Sequence, residues 1–445
     1  MHFRRLIIGI LFAITVVGCG VHVIDDGWQA PRPLGSDFTA RRPSAHVFET
    51  NATQEQVEEP TGPLALRDAI SLALRSHPEL AVSGWEVLVG QARVVQAGLT
   101  PNPEFESEQE GIPDGETTLS IGQLVELGGK RGKRRQVAML ERDLAGWDYE
   151  AKRLDVYTGV AKAFTEVLAA QEQVTLSERL VELARHVSET VAEQTRAGKV
   201  SPIEQIRADV DLASAEIQLR SAEVEEAAAR KRLAATWGSS EAHFDRVEGP
   251  FGEVTRIPSA EQLTERVSQS PEIARWTVEM AQREASLRLE RANRIPDVEI
   301  AGGWLHNSET GENAAVASIS LPMPLFDRNQ GAILEAERDQ AKARDERRVS
   351  ELAVRSALAD AYHAIQAAYE EVSRLRADVI PGAQRALDAL LEGYANGKFE
   401  LLEVLDARRT LVEAQTNEVS ALLRYHQAVT DIERLIGAPL SSISN

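Results

Sequence analysis

Two periodicities alternate along this chain, and each returns a second time. From about Lys133 to Thr195, and again from Ala332 to Ala395, apolar residues recur every three to four positions, which gathers them on one stripe of a helix. A third stretch carries a stripe of Leu401, Leu405, Arg408, Val412, Gln415, Val419, Leu422, His426, Val429 and Leu435 at nearly the same spacing. At about 1.5 Å per residue the first of these helices is roughly 95 Å long, far beyond an ordinary globular helix of about a dozen residues. Pro381 falls inside the second and predicts a kink, because proline lacks the backbone donor and crowds the preceding turn. Between the helices the period drops to two. Glu104, Glu106, Glu108 and Glu110 alternate with Phe105, Ser107 and Gln109, and Leu119 and Ile121 share one face of the run that follows. Asp297 and Glu299 alternate with Val298 and Ile300, and Val316 to Leu321 returns. These runs predict strands over about 103–110, 116–124, 297–305 and 314–321, each with two unlike faces.

The signals keep one order in both halves, which indicates a tandem duplication. Ser76-His77-Pro78-Glu79-Leu80 matches Gln269-Ser270-Pro271-Glu272-Ile273. Pro103-Glu104-Phe105-Glu106 matches Pro296-Asp297-Val298-Glu299, and Arg196-Ala197-Gly198-Lys199 matches Ala395-Asn396-Gly397-Lys398. Each half reads as a short helix from Leu66 or Ala260, then a second helix opened by Pro78 or Pro271 at its first turn, where proline is tolerated. A strand pair, a long helix, a glycine reversal at Gly198 or Gly397 and a returning helix up to Gly238 or Gly437 follow. The units expected are a first repeat over 63–240, a connector over 241–258, a second repeat over 259–438 and a tail over 439–445. The fold class this predicts is mainly α with a small membrane β part: internally duplicated long helical hairpins, plus four strands per chain.

Four strands cannot close a barrel. They leave two open edges, which lipid does not tolerate, so several chains must share one wall, and three chains give twelve strands. Turned inward, Glu104, Glu106, Glu108, Asp297 and Glu299 make an acidic lumen that favours cations. Two soluble hairpins capping a helical bundle have the same alternation, and any water-filled barrel needs polar walls.

Composition narrows the classes. Aromatics are only 5% of the chain and the formal net charge is −20, so no basic footprint for nucleic acid exists. Acidity of this size serves solubility or attracts cations. With 1 cysteine there is no internal disulfide, and the 9 histidines never fall three or four apart on a helix, the spacing a metal pair requires. No phosphate loop and no nucleophile-base set occurs, so the chain reads as no enzyme, with no catalytic residues, no metal ligands and no cofactor.

The N-terminus addresses the compartment. Arg4 and Arg5 precede an apolar run from Leu6 to Val17, too short to span a bilayer, as in a secretory signal over 1–18. Val16-Val17-Gly18-Cys19 resembles a bacterial lipobox, which implies cleavage before Cys19 and lipidation of its thiol; an ordinary signal with an incidental cysteine is the alternative. Gly20, where an aspartate would retain the protein at the inner membrane, points to the outer one. Residues 19–62, rich in proline and without helical period, read as a lipid-anchored extended arm or linker.

Two phrases add a family resemblance. Leu124-Val125-Glu126-Leu127-Gly128-Gly129-Lys130-Arg131 follows the second strand, and Leu321-Pro322-Met323-Pro324-Leu325-Phe326-Asp327-Arg328-Asn329-Gln330-Gly331 follows the fourth. With the duplicated order they make residues 64 to 440 similar to the TolC-type outer-membrane efflux proteins, in the heavy-metal branch of the resistance-nodulation-division systems. The resemblance implies a homotrimer with a shared 12-stranded outer-membrane β-barrel and an α-barrel crossing the periplasm of a Gram-negative cell. It implies a periplasmic adaptor (a membrane fusion protein) and an inner-membrane pump as partners, outer-membrane lipids around the barrel, and heavy-metal cations as cargo. The same channel exporting drugs or other organic compounds, and a coiled-coil structural or adaptor lipoprotein without a pore, remain as alternatives. Carried over, Arg196, Gly198, Ser201, Gly397 and Lys398 are the adaptor contacts at the periplasmic tips. Gly128, Gly129, Pro322, Pro324 and Asp327 read as structural corners between strand and helix, with Asp327 expected to cap the helix after it. The basic run Lys130 to Arg135 suits either lipid headgroups or a solvated helix start.

Overall fold

The computed structural model describes residues 28–43, 59–111, 115–255 and 257–443. The signal segment, Cys19 and Gly20 lie outside the described residues. In the first repeat, β1 (Gly62–Ala65) leads to α1 (Leu66–Ser76) and α2 (Pro78–Ala97). The hairpin β2 (Glu104–Glu110) and β3 (Glu116–Val125) follows, then the long pair α3 (Lys130–Arg196) and α4 (Pro202–Ala235). β4 (Phe244–Glu248) lies in the connector. The second repeat runs through α5 (Ala260–Arg266), α6 (Pro271–Asn293), β5 (Val298–Asn307), β6 (Asn313–Ser320), α7 (Gln330–Arg374), α8 (Ile380–Ala395) and α9 (Leu401–Ile436).

Pro78 and Pro271 open α2 and α6 as the sequence predicts, capped by the side chains of His77 and Ser270. α3 is a single helix of 67 residues, about 100 Å long at the standard rise. Its counterpart is broken: a π turn over Leu375–Val379 separates α7 from α8. Pro381 leaves the Ala377 carbonyl without an N–H donor, and the wider turn just before it absorbs that loss.

The long helices form one layer, with α4 packed along α3, α3 along α9 and α9 along α7, so α4 and α7 stand at its edges. Alanines at seven-residue spacing seat these contacts. Ala208, Ala215, Ala222 and Ala229 of α4 are buried, as are Ala414, Ala421 and Ala428 of α9. Ala215 packs against Val181 and Ala184 of α3. Small side chains on one heptad line let helix axes approach closely over many turns.

Three segments do more than the sequence suggests. The connector and the first repeat share a parallel two-stranded sheet, β1 with β4, which fixes Phe244 in the core beside Leu233 and Trp237. The tail packs Leu440 and Ile443 into the second core with Leu263, Leu358 and Ile432. The arm, where described, is laced to the body. Leu34 is fully buried and its N–H donates to the Gly437 carbonyl at 2.9 Å, while the Arg41 N–H donates to the Leu74 carbonyl. Its proline content suggests a linker, yet Trp28, Leu34 and Phe38 pack it against the body.

Candidate channel wall, corners and tips

The four long strands form one antiparallel sheet in the order β2-β3-β5-β6, so the two repeats join through β3 and β5 and leave β2 and β6 as edges. Register sorts the side chains. Phe105 lies opposite Ile121, Ser107 opposite Leu119, Leu119 opposite Trp304, and Ile300 opposite Ile319. All of these share one face, which gathers Phe105, Leu119, Ile121, Ile300, Trp304 and Ile319 with only a few polar residues such as Ser107 and Gln123 among them. Phe105 is 69% exposed and Ile319 77%. On the other face Glu104 lies opposite Gly122, Glu106 opposite Ser120 and Glu108 opposite Thr118, with Gly303, Ala301 and Ser318 continuing the surface. Glu299 belongs to this face too: its Oε1 comes within 3.0 Å of where a Cβ would stand on Gly122.

An apolar face this large is not left in water without a function. β3 and β5 are 10 residues each. Tilted as in a membrane barrel, they rise about 25 Å, the height of the apolar band. Among the described residues no helix is long and apolar enough to cross a membrane.

The corners place several expected residues differently. Asp297 precedes β5 and is engaged at the corner instead of standing free on the sheet face of Glu299. Its Oδ1 accepts the Leu127 N–H at 2.9 Å and pairs with the Lys130 ammonium at 2.8 Å. Partial burial pushes this carboxyl up, but the bonds from Lys130 and the Leu127 N–H, with the charges of Lys130 and Arg134, outweigh it and hold the group below its ordinary value. Asp327 does not cap α7. That cap is Asn329, in left-handed backbone, while Asp327 Oδ1 accepts the Asn329 N–H at 2.8 Å and shapes the turn before it. Gly128 and Gly129 have φ of 68° and 67°, and a Cβ on Gly128 would meet Ile295 Cδ1 at 2.9 Å. Pro322 and Pro324 follow the end of β6, where pairing with β5 stops at Ser320. The basic run serves these corners: Lys130 pairs with Asp297, and Arg134 with Glu126 at 2.6 Å.

The tips repeat one turn. In the first, the Gly198 N–H donates to Thr195 and the Lys199 N–H to Gln194; in the second, Gly397 donates to Tyr394 and Lys398 to Gly393. Both glycines are left-handed, with open space around them. Arg196 ends α3. Ser201 caps α4, its hydroxyl accepting the Ile203 N–H at 3.3 Å. Just inside the tips two contacts join the hairpins, and sequence reasoning missed both. Arg408 pairs with Asp211 in a half-buried position, where burial raises the Asp211 carboxyl against the pull of Arg408. The Tyr394 hydroxyl donates to Glu204 Oε2 at 3.4 Å, and burial beside that carboxylate pushes the phenol up to about 12. The pairs span 190 and 197 residues of sequence, so no local pattern marks them.

A sheet with one lipid-compatible and one acidic face, two open edges and a layer of very long helices below it defines a wall subunit of an outer-membrane channel. A model of outer membrane efflux proteins matches residues 69–239 and again 263–438, and the chain belongs to that family, one of channels and not of enzymes. It is 32% identical over 412 residues to the cobalt-zinc-cadmium resistance protein CzcC of Cupriavidus metallidurans, covering 91% of this chain and 98% of that protein. It is 25% identical over 345 residues to the pyoverdine export outer membrane protein OpmQ of Pseudomonas aeruginosa, covering 74% of this chain and 71% of that one. Among solved structures, CusC shares the fold with a TM-score of 0.73 at 16% identity, over 90% of this chain and 99% of that one.

Proposed function

We propose that three copies of this chain close into an outer-membrane duct that passes heavy-metal cations delivered by an inner-membrane pump and a periplasmic adaptor. The opposed faces of the four-stranded sheet carry this reading. Two copies would give eight strands, whose interior side chains fill, whereas twelve leave a water-filled bore. Glu106, Glu108 and Glu299 then line it, with Glu104 at its base, as rings of carboxylates that favour cations. The name of CzcC supports metal as cargo. Export of an organic compound is the second reading, supported by the name of OpmQ.

The tips, with Arg196, Gly198, Ser201, Gly397 and Lys398, are the surface offered to the adaptor. A Gly198→Phe chain should still assemble but fail in efflux. Lipidation at Cys19 suits the arm's course. Gln29 reaches the Asp143 carbonyl, about 20 Å along α3 from Lys130 by helix rise. Ten extended residues from Cys19 span at most about 35 Å, enough to return to the inner leaflet.

The test combines mass and current. Native mass should show three chains, and bilayer conductance should prefer cations. Glu106→Gln with Glu108→Gln should reduce that preference without closing the pore, and an unchanged preference would remove the acidic-lumen account. A deletion strain should become sensitive to cobalt, zinc and cadmium; sensitivity to organic toxicants instead would favour the second reading.

A further inference from the structure

The sheet face that carries Phe105 and Ile319 ends in a row unlike the rest of it. Register sets Gln109 opposite Thr117, Thr117 opposite His306 and His306 opposite Asn313, so one line of residues crosses all four strands. Side chains alternate between faces along a strand, so this line shares the face of Trp304, which stands one step closer to the helices. Every member of the row forms hydrogen bonds and none carries a fixed charge. The row lies at the end of the sheet away from the long helices, since α3 follows β3 after Val125 and α7 follows β6 after Ser320. His306 is near the end of the 10 residues of β5, roughly 20 Å above Val298 at an ordinary barrel tilt, which is close to the upper limit of the apolar band. Charge is also sorted between the faces. Glu104, Glu106, Glu108, Glu110, Glu116 and Glu299, all the carboxylates of the four strands, fall on the opposite face. Within the strands the face of Phe105 has no carboxylate, lysine or arginine, and His306 is its one titratable group. That imidazole is fixed in place. Its Nδ1 lies 3.0 Å from Asn313 Oδ1, and its ring stacks on Trp304 with centroids 5.6 Å and planes 12° apart. With Nδ1 donating to Asn313, Nε2 is the nitrogen left over, and it has no partner among the described residues.

We infer that this row binds the phosphorylated sugar headgroup of a glycolipid in the outer leaflet, with His306 on a phosphate and Trp304 at the boundary with the acyl chains. This rests on the proposed placement of the sheet in an outer membrane. Carboxylates repel a phosphate, and this face of the strands presents none. A protonated imidazole donates to a phosphate oxygen from Nε2 in a charge-assisted bond, the stronger kind. The carboxamides of Gln109 and Asn313 and the Thr117 hydroxyl match sugar hydroxyls, because both sides donate and accept. An indole suits the boundary, where one end of the ring is in an apolar medium and the other is wet.

Lipid probes test the site directly. The full chain, assembled in detergent and held in mildly acidic buffer that charges an imidazole, is titrated by native mass with bisphosphorylated lipid A, with lipid A stripped of its phosphates, and with phosphatidylglycerol. The intact glycolipid should bind most tightly, and loss of its phosphates should weaken binding roughly tenfold, the change that one charged hydrogen bond makes. His306→Gln should weaken the intact lipid by the same factor and should no longer distinguish it from the stripped one, because the two changes remove one shared contact. His306→Arg, which supplies a cation again, should recover the distinction. Phosphatidylglycerol binding as tightly as lipid A would show that no sugar is read. A phosphate effect that persists in His306→Gln, or one that stays lost in His306→Arg, would show that His306 does not hold the phosphate. Each of these results overturns the site and leaves the channel reading intact. A native chain that neither assembles nor conducts overturns both.

Discussion

At Gly128 and Gly129 the chain leaves β3 through two left-handed residues in succession, and the two glycines are not equally replaceable. Asn329 holds the equivalent cap of α7 at φ 59°, so asparagine suits the site that Gly129 occupies. At Gly128 a Cβ would also crowd the fixed Ala292 carbonyl at 3.3 Å and displace the end of the Ile295 side chain, so crowding adds to strain there. Gly129→Asn should leave the melting temperature in detergent nearly unchanged, while Gly128→Ala should cost about 1–3 kcal/mol. Equal losses at both sites would contradict this account. Asp297 gives a pH signature. Its carboxyl is held below the ordinary value, so the latch to Lys130 contributes fully above the unfolded carboxylate pKa of about 3.9 and is lost as pH falls through the lower folded value. The stability gap between the native chain and Asp297→Asn, about 1–3 kcal/mol for a charged hydrogen bond, should therefore be flat from about pH 8 to 5 and close below about 4. A gap that closes near neutrality would assign it to another group. The glycines are legible in sequence because few residues other than glycine take that backbone. Asp297 is not: it alternates with Glu299 like a strand residue, and its partner Lys130 stands a whole repeat away.

Element by element, what repeats locally was readable and what depends on distant packing was not. Prolines and glycines punctuate helices through their own backbone chemistry, so the starts at Pro78 and Pro271, the reversals at Gly198 and Gly397 and the break near Pro381 follow from single residues. The arm shows the opposite case. Its hold on α3 is a buried pair, Glu150 with Arg153 at 2.8 Å, whose remaining bonds all go to arm backbone. Arg153 donates to the Leu34 and Gly35 carbonyls, and Glu150 accepts the Arg32 N–H at 2.6 Å. Inside a helix, a Glu and an Arg three apart look like any solvated surface pair, worth a few tenths of a kcal/mol. Burial changes the scale. Arg153→Ala leaves the Glu150 carboxylate uncompensated, which costs about 3–5 kcal/mol, and frees the arm. Limited proteolysis should then cut within 28–43 in the variant and spare it in the native chain. Resistance in the variant would show that Leu34 and Trp28 suffice to hold the arm without the ion pair.

At the scale of the whole molecule one helical edge remains unexplained by the single chain. α4 turns its alanine line to α3 and carries a second heptad line, Ile203, Val210, Ile217 and Val224, each more than half exposed. At the other edge α7 exposes Val349 and Leu352. β-Branched residues repeated every seven positions over about six turns are what a packed helix seam uses, and in water each forfeits about 1.5–3 kcal/mol of burial. Closure of the layer by the next copy is the arrangement that covers both edges together with β2 and β6, because the helices hang directly beneath the strands whose edges must pair. A single carboxylate in the middle of the line discriminates the possibilities. Ile217→Asp should leave helix content by circular dichroism unchanged, since the site is exposed in the isolated chain, yet shift native mass from three chains toward one and abolish conductance. If trimers persist and only complex formation with the adaptor fails, the line faces outward as a docking groove. The edges of the layer would then have to be sealed by polar contacts, such as those of the arginine-rich stretch from Arg344 to Arg348.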